Sequence, residues 1–558
     1  MNRTEPETTY RMPRCETARP RLRERTAWLV ANGDLRLQAN IASWPTQHSM
    51  ELALASAFAS HVGWQIQRAH PADTDKGHGF IDSQRAGIAV FKNIPLDAPL
   101  IVAESVWQYS HHLMPGLRSH QGPILTVANF DGRWPGLVGI LGLNASLTKM
   151  GRAYSTIWSE DFSDPWFLDA IADWTRTGVI VHDESHVHEL PRLRETPEVR
   201  LGRAVAEQLR TDKAIIGVFD EGCMGMYNAV IDDELINRLG IYKERLSQSA
   251  LYAEMLRVSD AETVSVRRWL EQRGMQFLTG PDADKDLTDE QLAEQFAMYV
   301  AALRISDDFG LDAIGIQYQQ GLMDLVAASD LAEALLNNVE RPEVTPRDSS
   351  RILYDGCPLP TFNEVDEGAA VDALVTNRVW TAMGLDPATT LHDIRWGAEY
   401  AGEFVWVFEI SGAVPASHLA TGYAEAVSMR QNPVYFPAGG GTLRGVSKPG
   451  EIVWSRLYVE DGQLHLDIGR GRALRLPAPE TERRWQLTNP EWPMMHALLY
   501  GVTRDQLMAR HKANHVQVVY GPTARAADHA LAAKAAAFDA LGVTVHLCGD
   551  TALSDGRP

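Results

Sequence analysis

The chain has 558 residues, 45% of them hydrophobic and 22% charged, a balance that excludes a mostly disordered chain, a coiled coil and a collagen-like fibre. Lys+Arg 52 against Asp+Glu 72 leaves a net charge of −20, which repels phosphate backbones and anionic membrane surfaces. Neither nucleic acid nor a membrane is therefore an expected partner, and no run approaches the roughly 18 apolar residues of a spanning helix. At about 150 residues per domain the length implies roughly three or four domains. The first residues, MNRTEPETTYRMPRCETARPRLRERT, are polar, of mixed charge and without an apolar core, so they read as a solvated arm and not as a secretory signal. Cys15, Cys223, Cys357 and Cys548 form no CxxC pair. That fits neither a disulfide framework nor a zinc ribbon, and points to a reducing cytoplasm.

In chain order, Ala27–Asn32 reads as a strand and Ser49–His61 has helical apolar spacing. Pro99–Ala103 and Ile124–Ala128 are β-rich, and Trp134–Lys149 predicts a helix opened by a Gly/Pro turn. Such alternation predicts stacked α/β units with largely parallel sheets, whose sites collect at the carboxyl ends of strands. A charged break at Pro191–Val199 separates a second unit. It contains helix Leu201–Leu209, strand Ala214–Phe219, a capping box at Thr288-Asp289-Glu290-Gln291 opening a helix to about Leu303, strand Asp312–Gln317 and helix Leu331–Asn337. A third unit, from near Val379, is more β-rich, with strands at Phe404–Ile410, Ile452–Val459 and Leu464–Ile468. It closes on a βαβ unit: strand His515–Tyr520, helix Ala524–Leu541 stopped by Gly542, strand Val543–Leu547. The expected architecture is α/β with three domains, 1–200, 201–378 and 379–558, the last a β-rich α+β domain. No internal repeat or low-complexity segment interrupts it.

Several features invite a site. His182-Asp183-Glu184-Ser185-His186-Val187-His188-Glu189 carries metal-type donors, but a solvated loop is the better reading. Gly222-Cys223-Met224-Gly225 follows a strand and could approach an anion through backbone N–H groups. It lacks the Lys-Ser/Thr of a P-loop, so a tight turn over packed Met224 and Met226 is preferred. Gly439-Gly440-Gly441 reads as a turn. Neither GxSxG nor HExxH occurs. Glu364, Asp393 and His515 lie 29 and 122 positions apart, and spacing alone does not assemble them.

The chain nevertheless resembles the L-fucose isomerase family of metal-dependent aldose–ketose isomerases, in ordered segments from about residue 100 to about 521. Gly217-Val218-Phe219-Asp220-Glu221-Gly222-Cys223-Met224-Gly225-Met226 resembles the start of the family's second domain. Gly315-Ile316-Gln317-Tyr318-Gln319 and Ala332–Asn337 resemble a later block. Asn363-Glu364-Val365-Asp366, His392-Asp393-Ile394-Arg395 and Ala513-Asn514-His515 are similar to the stretches that carry the family's metal-binding Glu, Asp and His. Trp107, followed by the Asn129-Phe130-Asp131-Gly132 and Trp134-Pro135-Gly136 stretch, falls where the family places an aromatic that can reach a neighbouring subunit's site. Gln317, Ser411, Trp492 and Asn514 fall on sugar-contact positions, and the family's early basic contact is sought near Gly33–Arg36. Two departures stand out: Thr442 replaces a tyrosine and His511 an aromatic, which leaves the sugar open.

The resemblance implies interconversion of an aldose and its ketose by proton transfer through an ene-diolate. Glu364 and Asp393 would be the catalytic pair and, with His515, the metal ligands; Trp107, Gln317, Ser411, Trp492 and Asn514 would hold the sugar. Two carboxylates and an imidazole leave positions for sugar oxygens and favour Mn²⁺ or Mg²⁺ over tetrahedral Zn²⁺. It also implies a homo-oligomer, commonly a hexamer in the family, whose partner is a small sugar. The alternatives are a different metal-assisted enzyme on the same scaffold, such as an isomerase for another sugar or a sugar-acid lyase, and a non-catalytic sugar-binding or regulatory protein.

Overall fold

The computed structural model describes residues 22–134 and 136–553. The N-terminal arm to residue 21, with Cys15, and Pro135 of the Trp134–Gly136 stretch lie outside the described residues. The first unit is an all-parallel sheet of Thr26–Val30 (β1), Gln65–Arg68 (β2), Leu100–Glu104 (β3), Ile124–Asn129 (β4) and Ser155–Ser159 (β5), in the order β2-β1-β3-β4-β5. Every residue of β3, β4 and β5 is buried, as expected of strands covered on both faces. The helix expected from Ser49 starts much earlier: it runs Leu37–Ala57 with Pro45 inside it. A proline reads as a helix boundary in sequence, yet here the helix continues through it.

Helix α1 (Gly136–Lys149) is apolar all round, and every residue but Lys149 is buried. Its Leu137, Ile140, Leu141, Leu143 and Leu147 pack with Val102 and Ala128 of the first sheet on one side and Ile394, Trp454 and Val516 of the C-terminal unit on the other. Val187–Glu189 (β6) follows, then α2 (Pro197–Asp212). The second unit is a parallel sheet of Ala214–Phe219 (β7), Ile241–Leu246 (β8) and Ala313–Ile316 (β9), ordered β9-β7-β8. The Thr288 capping box forms as read, opening a helix that reaches Phe309. Helix α3 (Glu367–Ala382) spans Val379, so the third unit's first strand begins only at Thr389.

That unit is a mixed sheet. Thr389–Tyr400 (β10), Glu403–Glu409 (β11), Gly450–Glu460 (β12), Gln463–Leu474 (β13), Met494–Leu499 (β14) and His515–Gly521 (β15) pair as β12-β15-β10-β11-β14-β13. Pairing of β12 with β13 closes this antiparallel ring, which removes its free edges. Thr544–Cys548 (β16) adds in parallel to β13, and β6 caps β16. Helix α4 (Ala524–Leu541) connects β15 to β16 and packs on α2. The βαβ unit read from sequence therefore has its two strands in one sheet, but β12 and β13 lie between them. Overall the chain is α/β, with parallel sheets in its N-terminal part and a mixed sheet in its C-terminal region.

Candidate active site

Barrel pairing closes the long gap between Asp393 and His515: on β10 and β15 the two are direct cross-strand partners. Glu364 arrives from another direction, in the single turn Asn363–Val365 that precedes α3. Glu364 and Val365 both take positive φ, 59° and 57°. For a β-branched valine this is a costly conformation, of the kind held in place at functional sites by its surroundings. Facing it, Cys223 and Met224 also take positive φ, and the Cys223 thiol donates to Val365 O at 2.8 Å. The Gly222–Gly225 stretch is thus the tight turn preferred from sequence, pressed against the Glu364 loop.

His515 Nε2 lies 3.5 Å from Glu364 Oε2 and 3.4 Å from Asp393 Oδ1. Its other nitrogen, Nδ1, is 2.8 Å from Asp366 Oδ2. Asp366 is also paired by two nitrogens of Arg456, at 2.6 and 3.0 Å. Burial alone would raise the Asp366 carboxyl, but Arg456 and the imidazole hold it well below the usual carboxylate range. An ionised carboxylate only accepts, so the proton on Nδ1 is fixed and Nε2 is the free position. Nε2 is buried and has no hydrogen-bond partner. Burial, with the Asp393 charge beside it, pushes the Glu364 carboxyl up to about 8 against the pull of His515. Asp393 is raised by burial as well. Burial would lower His515, yet Asp366, Asp393 and Glu364 raise it.

An orphaned imidazole nitrogen facing two reluctant carboxylates suits a divalent cation. Two donors about 2.1 Å from one ion at right angles stand about 3 Å apart, close to the separations seen. The backing of a ligating His by a carboxylate is the usual support of such a ligand. Among the described residues no three His, Cys, Asp or Glu side chains form a ready-made cage; these three converge without closing into one.

Glu364 and Asp393 line a cavity of ≈ 40 Å³ together with Trp107, Arg395, Ser411 and Trp492. Arg36, Met224, Gln319, Tyr435 and Phe436 complete most of the wall. Arg36 comes from the stretch scanned for a basic contact, and Trp107 from the loop after β3. Both therefore stand at carboxyl ends of first-unit strands, and Trp107 faces the cavity of its own chain. Ser411 Oγ donates to Asp330 Oδ1, Gln431 Nε2 donates to Asp330 Oδ2 at 3.0 Å, and Trp492 Nε1 donates to Gln431 Oε1 at 2.7 Å. Burial raises Asp330 to about 7. Asp330 and Gln431, which no sequence pattern marked, thereby fix Ser411 and Trp492.

Two expected contacts need correction. Gln317 does not reach the cavity wall: its Oε1 accepts from Met224 N at 2.9 Å and its Nε2 faces Gln319 O at 3.3 Å. The amide that lines the cavity is Gln319, whose Oε1 has no partner. Asn514 is likewise turned to Asp393, its Nδ2 3.5 Å from Oδ1, and acts behind the wall. The two departures also sit behind it. Thr442 Oγ1 donates to Glu491 O at 2.9 Å, and His511 Nε2 lies 2.8 Å from His515 O. The His182–His188 cluster disperses: His182 binds Thr156 O at 2.9 Å, His186 is buried and His188 lies exposed on β6. Part of that segment is thus an edge strand where a loop was expected, because pairing with β16 supplies hydrogen bonds that local sequence does not announce.

Among the described residues no helix is long and apolar enough to cross a membrane. Comparison with curated proteins gives no match. Residues 411–539 match the family model for the L-fucose isomerase C-terminal domain, a span that holds Ser411, Trp492, Asn514 and His515. This match supports the resemblance to the L-fucose isomerase family read from the motifs.

Proposed function

We propose that the chain is a metal-dependent aldose–ketose isomerase, interconverting a sugar and its ketose through an ene-diolate. The observation that carries this reading is the register pairing of Asp393 with His515 beside Glu364, within a barrel whose later strands match the family model. Glu364, Asp393 and His515 would hold Mn²⁺ or Mg²⁺. When bound, such an ion polarises the carbonyl and neutralises charge on both sugar oxygens, a contribution of several kcal/mol.

The chain's own groups do the rest. Glu364 and Asp393 exchange the protons on carbon and oxygen, a positioned transfer of the kind that contributes about 10²–10⁴ in rate. Asp366 keeps the proton of His515 on Nδ1 and so keeps Nε2 free. Trp107 and Trp492 pack on the apolar side of the open chain, Ser411 and Gln319 take hydroxyls, and Asn514 steadies Asp393. Tyr435 brings a phenol into the cavity wall, which Thr442 cannot do.

The test is a panel of deoxy and non-deoxy aldoses assayed for ketose with Mn²⁺, after chelation, and with Glu364→Gln. Ketose formation that chelation stops, Mn²⁺ restores and Glu364→Gln abolishes supports the reading. Sugar binding that survives chelation without product would favour a binding protein, and full activity in Glu364→Gln would rule out the assignment.

A further inference from the structure

Arg395 follows Asp393 by two residues on β10. In the pairing of β10 with β11, Ile394 is opposite Phe408 and Trp396 is opposite Val407, so Arg395 has no partner there. Pairing of β10 with β15 has already ended at Asp393. Arg395 is therefore the extra residue of a β-bulge, a device that re-aims a side chain, often next to an active site. The side chain is only 1% exposed and lines the same cavity as Glu364 and Asp393.

Its guanidinium is half used. One terminal nitrogen donates to Asn489 Oδ1 at 2.6 Å and reaches Arg133 O at 3.4 Å. The group stands 5.8 Å from the Trp492 ring centre. Nε and the other terminal nitrogen are buried and have no hydrogen-bond partner. The nearest carboxylate oxygen, on Glu409, is 3.8 Å from Nε, too far for a hydrogen bond. The other cavity arginine differs: Arg36 is held by both oxygens of Asp34 and by Tyr435 O. Buried donors are seldom left unpaired unless water or a ligand takes them.

We infer that Arg395 is a further catalytic residue, whose free Nε–H and terminal N–H donate to the sugar oxygens beside Asp393 and whose charge offsets the negative charge of the ene-diolate. It keeps its own protons, and transfer stays with Glu364 and Asp393. Fixed donors aimed at developing charge act more on the transition state than on the bound sugar. This inference rests on the isomerase reading.

The experiment compares wild type, Glu364→Gln, Arg395→Ala and Arg395→Lys in the Mn²⁺-supplemented aldose assay, with metal content and melting temperature recorded for each. Arg395→Ala is expected to lose about 10²–10³ in kcat with a smaller change in KM. Its metal content and melting temperature are expected to stay those of the wild type, and added guanidinium ion to restore part of the rate. A kcat close to wild type overturns the inference, as does a loss that tracks lost metal and is not rescued by guanidinium. If Arg395→Ala fails to fold, Arg395→Lys decides: lowered kcat with near-normal KM supports the inference, and wild-type kcat overturns it. Wild type without product on any aldose, or an active Glu364→Gln, defeats the isomerase reading itself. An active wild type, an inactive Glu364→Gln and unimpaired Arg395 variants defeat only the role of Arg395.

Discussion

Asp366 answers three demands with one carboxylate: it caps α3 through Ala369 N, pairs with Arg456 and accepts the hydrogen bond of His515 Nδ1–H. Asp366→Asn is therefore expected to cost about 10–100-fold in Mn²⁺ affinity, the usual penalty for losing the group behind a ligating His. Competition against a chelator measures it; unchanged affinity would remove Asp366 from the account. Asp330 makes a separate prediction. Its folded-state pKa of about 7 lies above the ordinary 3.8 because of burial. A raised carboxyl favours the folded state fully below the unfolded pKa, and this contribution fades as pH climbs from about 4 through 7. Three pKa units bound the effect at about 4 kcal/mol. Melting temperature followed from pH 5 to 8 should fall more steeply for wild type than for Asp330→Asn. Parallel curves would mean that Ser411 and Gln431 already compensate the buried charge.

At the scale of elements, the approach of α1 to the loop after β3 positions Trp107. A Cβ on Gly139 would stand 2.4 Å from Val106 O, so the helix can come this close only with glycine there. Gly139→Ala should destabilise the protein by about 1–3 kcal/mol, as overpacked cores do, and raise KM through Trp107. Denaturant unfolding and steady-state kinetics read the two effects, and a variant as stable as wild type would contradict the packing argument. Element types were legible where periodicity is strong: β7, α4 and the Thr288 cap begin where the sequence puts them. Register was not legible. Nothing local says that His515 will face Asp393 across a barrel, or that a bulge will turn Arg395 inward, because both follow from pairing between strands far apart in sequence. The motif strings marked Glu364, Asp393 and His515 but placed the cavity amide at Gln317. The turn after β9 instead spends that amide on Met224 N and presents Gln319. Asp366, Asp330 and Gln431 went unread, since a buried polar residue that serves another residue carries no spacing of its own.

For the whole molecule, the cavity draws on all three units. Arg36 and Trp107 come from the first unit, Met224 and Gln319 from the second, and Asp393, Arg395 and Trp492 from the barrel and its loops. Under the proposed function, Glu364, Asp393 and His515 serve one divalent cation. The most direct measurement is an anomalous-difference map from crystals soaked in Mn²⁺. One strong peak per chain, in bonding contact with all three side chains, is expected. A map with no peak there, or with Mn²⁺ bound at another cluster while the protein still isomerises a sugar, would contradict that assignment.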